Sequence, residues 1–177
     1  MKKIILILSV VTIAFTGCSD EKKNLSEKHQ ALLTESDSIM QVYTQMQNMH
    51  TDMLEKHKNL NTQVEASGIM DAEIMKKIAG HEIIIERHAA MLESHKMMLD
   101  SHMEFKDNFD ELNLIEMEAQ IEKMRQNHDQ IMSEQETMQQ EHDVMNEDHK
   151  IILQKLADFQ MPDRYKPLCK NKLFLKI

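Results

Sequence analysis

Residues that punctuate turns or break helices are almost missing from this 177-residue chain, which has only Gly17, Gly68, Gly80, Pro162 and Pro167. A sheet protein needs frequent turns and many β-branched or aromatic residues. Aromatics here reach only 4%, with no tryptophan. That absence argues against strands throughout the chain. Motifs that carry catalysis are missing too: no Gly-rich phosphate loop, no His-Glu-x-x-His, no Cys-x-x-Cys and no nucleophile elbow. No histidine has a glutamate three residues before it, so the Glu-x-x-His pairs of ferritin-type di-iron bundles are absent. An enzyme is not expected. A formal net charge of −9, with no basic stripe interleaved with aromatics, also argues against nucleic-acid binding.

What remains is helix-forming. Glu, Gln, Lys, Leu and Met dominate, and all favour the α-helix. Beyond Lys23 the apolar residues recur with a heptad rhythm. In a first segment, 24–66, Leu25, Leu32, Ile39, Met46, Met53 and Leu60 stand seven apart at d positions. The a positions four residues later hold His29, Ser36, Tyr43, His50, His57 and Val64. In a second segment, about 70–108, the d positions read Ile84, Met91, Met98, Phe105 and Leu112, and the a positions Ile74, His81, His88, His95, His102 and Phe109. Ile85, Leu92 and Leu99 widen that stripe, as in a helix touching two neighbours. Ser67-Gly68 reads as the stop between these two segments. Asn113 and Glu116 have the spacing of a capping box that opens a third segment, 113–160. There Met117, Met124, Ile131, Met138, Met145, Ile152 and Phe159 take d, while Leu114, Ile121, His128, Gln135, His142, His149 and Leu156 take a. The expected fold is all-α: an elongated up-down-up three-helix bundle, or antiparallel coiled coil. Pro162 closes it, and 161–177 reads as a short basic tail.

The N-terminus looks like an address. Met1-Lys2-Lys3 precedes an apolar run, Ile4 to Phe15, that is too short to span a bilayer comfortably. Phe15-Thr16-Gly17-Cys18 follows, and this resembles the lipobox of bacterial lipoproteins, although leucine is usual where Phe15 stands. The resemblance implies removal of 1–17, attachment of diacylglycerol to Cys18 and N-acylation, hence a lipid-anchored protein of the cell envelope, in the outer membrane. Residues 18–23 would then be a lipidated tether. Their Ser19-Asp20-Glu21 is also similar to surface-export signals of some Bacteroidota lipoproteins. Multiple acyl chains, each buried CH₂ contributing about 0.8 kcal/mol, anchor stably. Loss of Lys2 and Lys3 takes the net charge from −9 to −11. With Cys18 lipidated, Cys169 has no intramolecular partner.

The chain has 10 histidines and 17 methionines, and every histidine falls on the seam. Seven have methionine four residues earlier: Met46–His50, Met53–His57, Met91–His95, Met98–His102, Met124–His128, Met138–His142 and Met145–His149. Residues three or four apart share a helix face, so imidazole and thioether can converge on Cu(I) or Ag(I). These spacings resemble those of His/Met-rich periplasmic copper- and silver-binding proteins. A second geometry crosses helices. Folding the chain about residues 69 and 111 sets His57, His81 and His142 on one level, followed by His50, His88 and Gln135, then Tyr43, His95 and His128. Three imidazoles on one level suit Zn²⁺, Cu²⁺ or Ni²⁺. Antiparallel packing could instead mix a with d and alternate His with Met. Polar a residues also specify register without any ligand. The leading reading is therefore a non-catalytic scaffold or partner-binding rod, docking an envelope protein or a second copy of itself. The alternative is soft-metal (Cu/Ag, or Zn) binding along the seam.

Overall fold

The structure, a computed structural model, describes residues 18–160: α1 (Cys18–Ser67), α2 (Ala72–Glu104), a short 3₁₀ turn (Phe109–Glu111) and α3 (Leu114–Gln160). The expected leader 1–17, the expected tail 161–177 and Cys169 lie outside the described residues. The three helices pack side by side as an all-α bundle, up-down-up, with each helix touching both others. At 50, 33 and 47 residues they run about 75, 50 and 70 Å. No helix among the described residues is long and apolar enough to cross a membrane.

Local chemistry sets the helix ends. Gly68 takes φ 66, the left-handed conformation that glycine adopts without strain, and α1 stops there. Asp71 then caps α2, its carboxylate accepting from the backbone N–H of Glu73 (2.8 Å) and Ile74 (3.1 Å). Asn113 and Glu116 form the reciprocal pair. The Asn113 N–H donates to Glu116 Oε2 at 3.0 Å, and the Glu116 N–H to Asn113 Oδ1 at 3.1 Å.

Helices α1 and α3 run in the same direction with a constant offset, seen in the side-chain hydrogen bonds between His57 and His149 and between Ser36 and His128, each 92 residues apart. This corrects the expected levels: His57 and His81 meet His149, not His142, and His50 and His88 meet His142, not Gln135. The cause is the connection after α2. The chain does not reverse at once beyond Glu104 but travels on along the rod through the 3₁₀ turn, so α3 starts about one heptad lower. Phe109, expected at the last a position of the second segment's rhythm, sits in that turn, buried and stacked on His29 at 3.7 Å.

The seam of α2 also differs. Ile78, Ile85, Leu92 and Leu99 are its buried apolar partners, while Ile84, Met91 and Met98 sit half-buried at the flank and Phe105 is exposed. The last d residue of α3, Phe159, is also exposed. An antiparallel neighbour presents its heptad in reverse, so its histidines meet the a positions of α1 and α3 only by taking the other seam position. The mixed His/Met alternative therefore does not arise. Histidine levels alternate with apolar ones such as Met53, Ile85 and Met145, where Met53 is 2% and Met145 0% exposed.

Candidate metal centre

Two adjacent levels of the rod each carry three buried imidazoles, one from every helix: His50, His88, His142, and His57, His81, His149. Within each set a ring nitrogen from every member lies within 4.8 Å of the others. His88 Nδ1 is 3.2 Å from His142 Nε2, and His57 Nδ1 is 3.4 Å from His149 Nε2. A cation holding nitrogens at 2.0–2.1 Å in tetrahedral array separates them by about 3.4 Å. Two of the three nitrogens in each set are thus already at ligand spacing. A nitrogen of the third, His50 or His81, lies within 4.8 Å of one from each of the other two.

The sites are dry. His88 is 0% and His142 1% exposed. Burial, followed by repulsion from neighbouring imidazoles, pushes His142 and His149 down to about 4. His50 and His57 are lowered for the same two reasons. All four rings are therefore neutral at pH 7, the form in which imidazole binds a metal. His50 Nδ1, His81 Nδ1 and His142 Nδ1 are buried without a hydrogen-bond partner among the described residues. Unpaired buried polar atoms cost on the order of 1–3 kcal/mol each.

Outside the ring of imidazoles stand acids that the sequence reading missed. His88 Nε2–H donates to Glu141 Oε2 at 2.6 Å, and His81 Nε2–H to Asp148 Oδ2 at 3.1 Å. Glu141 is also paired with Arg87, and Asp148 with Lys77. Partial burial acts to raise both carboxyls, but the hydrogen bonds from these cations and histidines outweigh it and hold both below the ordinary carboxylate range. A carboxylate behind a histidine is the usual arrangement around a metal, where it fixes the ring and raises its basicity.

The remaining candidates do not complete a three-histidine level. His102 and His128 share theirs with Ser36: the His102 Nδ1–H donates to Ser36 Oγ at 3.0 Å, and that hydroxyl donates to His128 Nε2 at 2.8 Å. His95 falls on the register of Tyr43 and Gln135, with its Nε2–H donating to Glu134 Oε2 at 2.7 Å. Of the methionines, Met46, Met53, Met124, Met138 and Met145 are buried; Met91 and Met98 are not fully so. Met53 and Met145 separate the two three-histidine levels, and Met46 and Met138 lie beyond the first. No protein-family model, curated protein or solved structure matches this chain.

Proposed function

We propose that this is a lipid-anchored, non-catalytic envelope protein whose helical rod binds transition-metal ions between its helices, one at each three-histidine level. The observation that carries this reading is the convergence of six buried, inward-facing imidazoles in two sets of three. Histidine at a single polar level would serve register; two complete triads with nitrogens 3.2 and 3.4 Å apart go beyond that need. Charge selects among ions. His50, His57, His142 and His149 are buried and neutral at pH 7, a single ionised carboxylate stands behind each triad, and the cost of burying an ion grows with the square of its charge, which favours Cu(I) or Ag(I) over Zn²⁺. Thioethers on the neighbouring levels suit the same soft ions.

The test is titration of the full-length protein in detergent with Cu(I), Ag(I), Zn²⁺ and Ni²⁺. Cys169→Ser is used throughout, to remove the thiol. Two ions of Cu(I) or Ag(I) bound, each with Kd below about 10 μM, is the expected result. Loss of one equivalent in His88→Leu and of one in His81→Leu should follow. Absence of binding overturns the reading.

A second reading is favoured by the Ser36 level, which is hydrogen-bonded within itself and needs no ion. On it the rod is a spacer or partner-docking scaffold, its polar levels setting helix register alone. It predicts that full-length protein melts at the same temperature with and without Ag(I).

A further inference from the structure

The residue just before each of four successive a positions of α3, from His128 to His149, touches the α2 histidine on the same level. Asp148 meets His81, Glu141 meets His88, Glu134 meets His95 and Asn127 meets His102. Three of the four are acids, and a carboxylate only accepts hydrogen bonds. The facing Nε2 must then carry the proton, which leaves Nδ1 with its lone pair. In His88 that Nδ1 is the atom 3.2 Å from His142 Nε2, inside the triad. In His81 it is buried with no partner among the described residues.

At the fourth place the chemistry is inverted. The Asn127 Nδ2–H group donates to His102 Nε2 at 3.1 Å, so that nitrogen is the acceptor and Nδ1 carries the proton. That proton goes to Ser36, whose own proton goes to His128. The level closes on itself and offers no lone pair to the axis. The amide accompanies the level of two histidines and a serine; acids accompany both three-histidine levels, and Glu134 also accompanies His95, whose level holds Tyr43 and Gln135.

We propose that Glu141 and Asp148 are positioning residues of the two ion sites: each fixes its α2 histidine in the Nε2–H tautomer and turns the Nδ1 lone pair to the axis of the rod. This rests on the metal reading above. The acids themselves touch no ion. They hold the ring's orientation and tautomer before the ion arrives, so that less has to be reorganised on binding.

Two measurements on the full-length Cys169→Ser protein test this. Long-range ¹⁵N NMR of the ion-free protein at pH 7.5 reads the tautomers without any metal. His81 and His88 should carry hydrogen on Nε2 and His102 on Nδ1; the same tautomer in all three overturns the proposal. Silver titration then reads the consequence. Glu141→Leu should weaken one of the two sites by about 10–100-fold and Asp148→Leu the other. Glu141→Gln, whose Oε1 still accepts from Nε2–H, should keep most of the affinity. Wild-type uptake of silver with unchanged affinity in a folded Glu141→Leu protein overturns the positioning role alone. No uptake by the wild type overturns the reading beneath it.

Discussion

Exchanging a monovalent ion for a divalent one should change how many ions the rod holds. The two triads are one heptad apart on every helix, which is about 10.5 Å along the axis. At an effective dielectric constant of about 20, two single charges at that distance repel by about 1.6 kcal/mol, and two double charges by about 6 kcal/mol. Glu141 and Asp148 are ionised whether one site or both are filled. They raise affinity at each step and leave the difference between steps almost unchanged. The second Ag(I) should therefore bind about 15-fold more weakly than the first, and both sites should fill at micromolar silver. A second Zn²⁺ should bind more than about 1,000-fold more weakly, so zinc should stop near one ion per chain. Calorimetric titration with native mass spectrometry of the same samples reads both numbers. Two zinc ions bound with equal affinity, or one silver ion at saturation, would refute the placement of both ions on one axis at this spacing.

Other outcomes follow from the same geometry. Gln135 is buried with neither Nε2 nor Oε1 paired, so Gln135→Leu should raise stability by about 1–3 kcal/mol in chemical denaturation and leave metal stoichiometry unchanged. Lower stability in that variant would show that the amide is satisfied. His102, His142 and His149 titrate near 4 when folded and, with burial removed, near 6.5 when unfolded. The unfolded chain then takes up protons first as pH falls below 6.5, so their contribution is full above that value and is lost progressively toward pH 4. Each such ring loses on the order of 1–2 kcal/mol by pH 5, and the ion-free protein should melt several degrees lower there than at pH 7.5. An unchanged melt would contradict the burial. Ser36→His adds the missing third imidazole beside His102 and His128, but Asn127 would still hold His102 in the wrong tautomer. Silver titration should therefore show a third equivalent only when Asn127→Glu is added, and a third site from Ser36→His alone would be evidence against tautomer control.

Much of the fold was legible because three long segments repeat a seven-residue pattern with almost no glycine or proline to interrupt them. Met53, Met138 and Met145 could be placed in the core from spacing alone. Two things could not be read. The α2 stripe is apolar at Ile84 and Ile85, at Met91 and Leu92, and at Met98 and Leu99, so the pattern offers two seams and only packing between two neighbours chooses one. The level of α3 depends on how far residues 105–113 advance along the rod, which no periodicity encodes. That single heptad decided whether His142 or His149 joined His57. The acids behind the triads did leave a signal, since Glu134, Glu141 and Asp148 recur seven apart just before the seam. Such acids flanking a coiled-coil core are ordinarily ion-pair positions, and Arg87 and Lys77 do pair with two of them. What set them apart is their reach to a histidine on another helix.

X-ray absorption at the copper K-edge, on full-length Cys169→Ser protein loaded with two equivalents of Cu(I), interrogates the ion's surroundings directly. A nearest shell dominated by nitrogen, with the outer-shell scattering of several imidazole rings, is the predicted spectrum, and it should weaken in His88→Leu loaded to the same ratio. A shell of sulfur alone, without imidazole scattering, would contradict binding between the helices.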